Sequence, residues 1–480
     1  VRWVESMDGA LAIEFGAGDL RMRPLERRRA VVIVGGLDGR SMAGSEAVLH
    51  AGYRLLTGLK NLRPDLTFLL VPFASPEGLA RVNRGQSAGG RDLDGDGYVL
   101  QMLVEDPEGP WTPSLDARFL CRARSGDAPR YQRLTEGAPT GDVGQPFDLE
   151  RDFPLLSGAG IAQPIRNKKD GEAALTTALR QYILARPCAL VVSFQGNHGG
   201  LAYPGASSQP PWESLPDLAL FENLGGAFRS ATGRTRAPVF SISKAREGVE
   251  KGSFVDWCYA VPGVLAFEVA PWGVGLREGE YEAVREIGGE DAWDFRPSMH
   301  ERDRRWATWL DDELGGEGFA EWQPVLLSDG ETCQVGGWKP KTYWNPPESA
   351  LAGALERLDE FVWELVNRLP YLELCDVSVK REQELVTVSA RLRCVGALPM
   401  QPQTFGLWAG SGEAGSAWLE VLAPQSARRI TGPDRQSFPR LDSGGRSATV
   451  SWLFHAAEGA RLKVEFGLGK TRLGSKELVL

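Results

Sequence analysis

The sequence predicts an α/β domain, a mixed sheet with helices on both faces, followed by a smaller all-β sandwich. The unbroken apolar run Val31–Val34 and the largely apolar runs Leu66–Val71 and Ala189–Phe194 each lead into turns bearing glycine or proline, the signature of buried strands. Between these runs, apolar residues recur at helical spacing. After Pro370 the period falls to two: Val386, Val388, Ala390, Leu392 and Cys394 alternate with polar residues, as do Val450, Trp452 and Phe454, then Leu462, Val464 and Phe466. Residues 371–480 therefore read as the sandwich and 1–318 as the α/β domain, with an insertion over about 85–145 and a connecting segment with a helix at 319–370.

With 480 residues, 42% of them hydrophobic, the chain has room for one large and one smaller core, and no apolar run approaches a membrane span. A net charge of -9 argues against a nucleic-acid surface. The one basic block, Arg21, Arg23, Arg27, Arg28 and Arg29, precedes a strand and reads as a solvated turn. Six cysteines without a Cys-x-x-Cys spacing indicate neither a zinc knuckle nor a disulfide framework. Cys188 and Cys258 read as buried thiols, and Cys375 and Cys394 as residues that could face each other across a hairpin.

Taken in order, the run at Val31 enters Gly35-Gly36-Leu37-Asp38-Gly39-Arg40-Ser41 and then a helix with Val48, Ala51, Leu55 and Leu59 on one face, capped by Ser41 or Ser45. Strand, turn and helix aim Asp38 and Ser41 into a cleft at the strand's end. The next run ends in Pro72–Gly78, a turn, and is followed by Arg81-Val82-Asn83 and Arg84. Residues 85–145 are polar and too long for an ordinary loop. They contain Asp92, Asp94 and Asp96 in Asp-Leu-Asp-Gly-Asp-Gly, either the opening half of a calcium loop or a plain acidic turn; the twelfth position is Leu103, with Glu105 or Asp106 nearby. Phe147–Pro154 closes the insertion and holds Glu150 and Arg151. A helix over 172–184, with Leu175, Leu179, Tyr182 and Ile183 on one face, precedes the strand that ends at Gln195 and His198. Lys251–Trp257 opens a helix, the next strand carries Glu268 and Ala270, and Asn345-Pro346-Pro347 introduces a helix with Leu351, Leu355, Leu358, Val362 and Leu365 on one face.

Gly36-Leu37-Asp38-Gly39-Arg40-Ser41 resembles the Gly-x-His-Gly-x-Glu turn of the zinc carboxypeptidases, the M14 metallopeptidases. Ser193-Phe194-Gln195 is similar to their Ser-Phe-His, Arg81-Val82-Asn83 to their Arg-x-Asn, Asp148–Pro154 to Asp-Leu-Asn-Arg-Asn-Phe-Pro, and Gly252–Trp257 to Gly-Ser-x-Asp-Trp. Val335–Lys341 resembles a segment of large bacterial members. The resemblance implies a carboxypeptidase-like fold and a secreted or periplasmic protein; the chain opens at Val1 without a signal-like segment, and compartment and oligomeric state stay open. By the same resemblance, Asp38, Ser41 and Gln195 stand at the three zinc-ligand positions. Arg81 stands at the carbonyl-polarising Arg, with Arg84 as its alternative, and Glu150-Arg151 replaces the Asn-Arg that holds a terminal carboxylate. Counted without gaps from Asp256, the general-base position falls on Ala270, and Glu268 is its substitute, two residues earlier on the same face.

A catalytic zinc wants three strong protein ligands and an open position. Of the four histidines, His50, His198, His300 and His455, none falls at a ligand position, so zinc is not expected as a cofactor and calcium is a candidate. The first expectation is an inactive homologue that binds a peptide or a small acidic or amide-bearing ligand through Arg81, Arg84, Glu150, Arg151 and His198. The alternatives are a hydrolase on a metal site rebuilt from Asp38, His198 and Glu268, and a scaffold protein using the insertion and sandwich.

Overall fold

The computed structural model describes residues 2–3, 10–21, 24–85, 90–114, 116–137, 148–153, 156–157, 160–161, 174–204, 217–234, 237, 239–241, 253–273, 308–400, 416–438, 441–469 and 471–480. Described strands of the first part are β1 (Arg2–Trp3), β2 (Ile13–Phe15), β3 (Arg29–Gly35), β4 (Leu66–Val71), β5 (Gln101–Glu105), β6 (Trp111–Pro113), β7 (Leu120–Arg122), β8 (Tyr131–Thr135), the pair β9 (Leu156–Ser157) and β10 (Gly160–Ile161), β11 (Cys188–Phe194), β12 (Leu201–Tyr203), β13 (Val239–Ser241) and β14 (Ala266–Val269). Its helices are α1 (Met42–Thr57), α2 (Pro76–Asn83), α3 (Ala174–Leu184), α4 (Leu218–Thr232) and α5 (Phe254–Ala260).

An eight-stranded mixed sheet runs β1-β2-β4-β3-β11-β14-β12-β13, parallel through β4, β3, β11 and β14. Every residue of β3 and β4 is buried, which is why they read as continuous apolar runs rather than alternating ones. Side chains alternate across the sheet, so Val31 and Ile33 pack with α1 and α4 on one face, and Val32 and Val34 with α3 and α5 on the other. The α1 stripe is buried at Val48, Ala51 and Leu55, but the helix ends at Thr57 and Leu59 begins a separate 3-10 turn after Gly58.

The insertion is not a loop. Its strands β5–β8 join β15 (Phe319–Leu326) and β16 (Thr332–Trp338) in a six-stranded sheet, order β15-β16-β5-β8-β6-β7, with β16 antiparallel to β5. After the short α6 (Pro340–Tyr343), the single helix expected across 351–365 is two, α7 (Glu348–Leu355) and α8 (Leu358–Arg368), broken at Arg357, whose φ of 59° is left-handed. Leu355, Leu358, Phe361, Val362 and Leu365 finish the core on the α1 side of the large sheet.

The C-terminal part is a pair of four-stranded sheets. β17 (Tyr371–Glu382), β18 (Leu385–Val395), β22 (Val450–Ala456) and β20 (Ala427–Thr431) face β21 (Arg435–Phe438), β19 (Ala417–Leu422), β23 (Arg461–Leu468) and β24 (Thr471–Val479) across one core. The alternation read from β18 is realised, with Val386, Val388, Ala390, Leu392 and Cys394 all buried. Cys375 and Cys394 do not face each other: Cys394 pairs across the ladder with Leu372 and Cys375 with Arg391, and both are free thiols. Cys258 is buried and Cys188 half-buried; burial pushes the Cys188 thiol up to about 12.

Two of the five clustered arginines are not solvated. Arg28 Nη1 donates to Ala17 O at 2.5 Å, and Arg29 Nη1 donates to Pro370 O where the sandwich begins. Arg63 holds the same stretch through Leu369 O at 2.5 Å. Among the described residues, no helix is long and apolar enough to cross a membrane.

Candidate functional site

At the C-terminal end of β3 the chain turns through Gly36 and Gly39, both at positive φ (65° and 68°), and delivers Asp38 to the turn that follows β11. Asp38 is 6% exposed, and its carboxylate is fully engaged. Oδ1 accepts from Arg40 N at 3.0 Å and Ser41 N at 2.9 Å; Oδ2 accepts from Ser41 Oγ at 2.6 Å and Gly196 N at 3.2 Å. Gly196 N also reaches Ser41 Oγ at 2.9 Å.

Ser41 occupies the N-cap position of α1 but spends its hydroxyl on Asp38, so it does not cap the helix. Asn345, brought in by the segment after α6, does so instead. Its Oδ1 accepts from Ala43 N at 3.1 Å and its Nδ2 donates to Arg40 O at 2.8 Å. Ser45, the other expected cap, keeps a buried hydroxyl without a hydrogen-bond partner among the described residues.

Gln195 follows β11 and is fully buried. Its Nε2 donates to Glu268 Oε2 at 2.8 Å, and His198 Nε2 lies 3.3 Å from Glu268 Oε1. Gly200 N donates to His198 Nδ1 at 3.1 Å, which assigns the ring proton to Nε2, facing the carboxylate. Ala270, the position reached by counting, contributes a methyl group and a backbone N–H to Gly200 O; the carboxylate at this corner belongs to Glu268. The connection between α5 and β14 sets no fixed count, whereas the parallel register does, pairing Ser193 with Glu268.

The remaining expected residues are spread more widely. Arg81 lies on α2 with Nη2 3.7 Å from Glu77 Oε1, and Arg84 is exposed at the end of that helix. Glu150 is buried in the 3-10 turn Leu149–Asp152, which hangs on the corner through Leu149 N to Leu37 O at 2.9 Å. The side chain of Arg151 and all of His300 lie outside the described residues. Arg40 stacks over Trp344 at 4.7 Å.

Among the described residues, the Asp, Glu, His or Cys set whose donor atoms all lie within 4.8 Å of one another is Asp92, Asp94 and Asp96; Asp38, His198 and Glu268 do not form one. All three aspartates are exposed and accept from their own loop: Asp92 from Gly95 N at 2.6 Å and Gly97 N at 2.9 Å, Asp94 from Asp96 N at 3.1 Å, Asp96 from Tyr98 N at 2.8 Å. Desolvation pulls the Asp92 carboxyl up, but the N–H groups of Gly95 and Gly97 outweigh it and hold it below its ordinary value. Leu103 is buried in β5, and Asp106 is occupied by Gln132 and Glu108. The acid beside this loop is Glu136, far along the chain, which accepts from Leu93 N and Leu100 N; burial first, then Asp94 and Asp92, push its carboxyl up. Neither Glu136 nor Asn345 had a local signal beyond the Asn-Pro-Pro punctuation.

A family model of the zinc carboxypeptidases matches residues 11–276, a span that contains Asp38, Ser41, Gln195, His198 and Glu268. The chain belongs to the zinc carboxypeptidase family. Among solved structures it is similar to carboxypeptidase A from Helicoverpa armigera, at 13% identity over 64% of this chain and 64% of that one, with a TM-score of 0.34. It is also similar to bovine thrombin-activatable fibrinolysis inhibitor in complex with tick carboxypeptidase inhibitor (11% identity, 64% and 86% coverage, TM-score 0.29). A third similarity is to succinylglutamate desuccinylase/aspartoacylase from Rhodobacter sphaeroides (11%, 98% and 88%, TM-score 0.26). Thus the chain spans under two thirds of the first of these proteins. Comparison with curated protein sequences returns no match.

The family's name implies zinc, and Asp38, Ser41 and Gln195 do not fit it. Zinc needs lone pairs from imidazole, thiolate or carboxylate. Those of Asp38 are filled by N–H and O–H donors, Ser41 offers a neutral hydroxyl, and Gln195 turns its NH2 group to Glu268.

Proposed function

We propose that this carboxypeptidase-family chain is a pseudopeptidase: it does not hydrolyse peptides by a zinc mechanism, and its cleft binds a peptide or a related acidic or amide-bearing ligand. The observation that supports this most directly is the Asp38 carboxylate, closed off by Arg40 N, Ser41 N, Ser41 Oγ and Gly196 N. Without a polarised water, Glu268 has no activated nucleophile to generate by this route. Arg81 and Arg84 supply guanidinium groups for carboxylate or carbonyl oxygens, while Glu150 limits how much negative charge the site accepts. His198, with side-chain exposure of 20%, offers a polar edge at the rim.

A second reading, a hydrolase on a rebuilt site, is favoured by the approach of His198 to Glu268. The deciding experiment combines elemental analysis of protein purified without chelator with a hydrolysis assay on an N-acylated dipeptide bearing a free C-terminus, with and without added zinc. The proposal expects no turnover in either case; turnover abolished by a chelator favours the hydrolase. Calcium per chain, read in the same run, decides between an ion site and an acidic turn at Asp92 to Asp96.

A further inference from the structure

Two loops meet at the corner where the family would hold its ion. One is the turn from β3 into α1, the other the turn from β11 into β12. Asp38 bridges them, with two hydrogen bonds to its own turn through Oδ1 and one across to Gly196 N through Oδ2. Ser41 Oγ doubles that crossing by donating to Asp38 and accepting from Gly196 N. The two loops are also pressed together by the backbone: Gly36 N donates to Phe194 O at 3.1 Å, and a Cβ at Gly44 would lie 2.1 Å from the same oxygen.

We infer that Asp38 is a structural anion that staples the β3–α1 turn to the β11–β12 turn, holding the cleft floor in shape by hydrogen bonds, with no metal required. A buried carboxylate saturated by backbone N–H groups is a strong cross-link, because each of those donors is stranded when the carboxylate is removed. An anion thus does at this corner what a cation does in a metal site, and a residue at a ligand position has become part of the scaffold. This inference rests on the proposal that the chain holds no zinc.

The test is thermal unfolding and amide hydrogen exchange of the full chain and of Asp38→Ala, Asp38→Asn and Ser41→Ala, each with and without EDTA in buffer that holds calcium in excess of the chelator. Wild type should melt at the same temperature with and without chelator. Asp38→Ala should melt roughly 5 °C or more lower, and exchange at Ser41 and Gly196 should accelerate together while amides of the sandwich do not change. Asp38→Asn keeps one oxygen acceptor but no second one, so it should retain the bonds from Arg40 N and Ser41 N while leaving Gly196 N with Ser41 Oγ alone. Should Asp38→Ala fail to fold, Asp38→Asn and Ser41→Ala carry the same contrast. A melting temperature that EDTA lowers would defeat the zinc-free reading beneath the inference. Zinc-free protein in which Asp38→Ala and Asp38→Asn melt and exchange like wild type would overturn the staple and leave that reading standing.

Discussion

At the scale of single residues, the corner is governed by contacts that tolerate little change. Gly44 lies under Phe194 O, so Gly44→Ala forces backbone apart and is expected to destabilise by about 2–3 kcal/mol, measured by denaturant unfolding. Asn345→Ala strands Ala43 N and Arg40 O and should lose ~1–2 kcal/mol, close to the effect of removing a helix cap; Asn345→Asp, which keeps the acceptor for Ala43 N, should recover part of it. Equal stabilities for both variants would refute the capping role. The difference between Glu268 and Ala270 belongs to this scale too. Counting along the chain chose position 270, whereas strand register brings the carboxylate from position 268 to Gln195.

Among the elements, one guanidinium ties the insertion to residues 308–314. Arg118 donates to Asp116 and to Asp311 of the helical stretch 308–314, and its carbonyl accepts from Trp322 Nε1 at 3.0 Å. The Arg118 hydrogen bonds hold both carboxyls below their ordinary values, against a smaller desolvation effect. A depressed folded-state pKa contributes stability above the ordinary aspartate range, and that stability is lost as pH falls through the depressed values. Acid titration below about pH 4 should therefore loosen the contact between the insertion and residues 308–314. Arg118→Ala should remove that acid limb, as read by hydrogen exchange in β7 and β15.

How legible an element was in the sequence follows from its burial. β3, β4 and β11, covered on both faces, announced themselves as apolar runs, and β18 as alternation over one core. The strands of the insertion did not. β6 and β7 have three residues each, and β8 is nowhere fully buried, so neither period could register. Asn345 acts on a helix some three hundred residues away, a relation no local pattern encodes. Arg28 and Arg29 looked like a solvated block because charge alone says nothing about backbone carbonyls waiting in the fold.

At the scale of the whole molecule, the sandwich is fastened to the α/β domain. Arg29 and Arg63 hold the carbonyls of Leu369 and Pro370, Leu398 N donates to Arg368 O at 3.3 Å, and Leu398 packs into the α/β core. Burial, partly offset by Asp65, lowers the Arg29 guanidinium to about 10, which leaves it charged at neutral pH. Arg29→Ala, which removes a buried donor from this junction, should lower the unfolding temperature and expose 369–370 to limited proteolysis; unchanged cleavage would detach that role from Arg29. The core architecture was legible from the sequence and so was the family, because strand order and turn motifs carry both. The chemistry of the corner was legible only as substitutions. Their consequence, a carboxylate saturated by its own neighbours, required the fold.

The central claim is that the family's metal corner is closed by Asp38, and it is tested most directly by zinc per chain in protein purified without chelator and then equilibrated with a small excess of zinc. The account predicts zinc near zero after removal of the excess; near one zinc per chain, lost on Asp38→Ala, would contradict it.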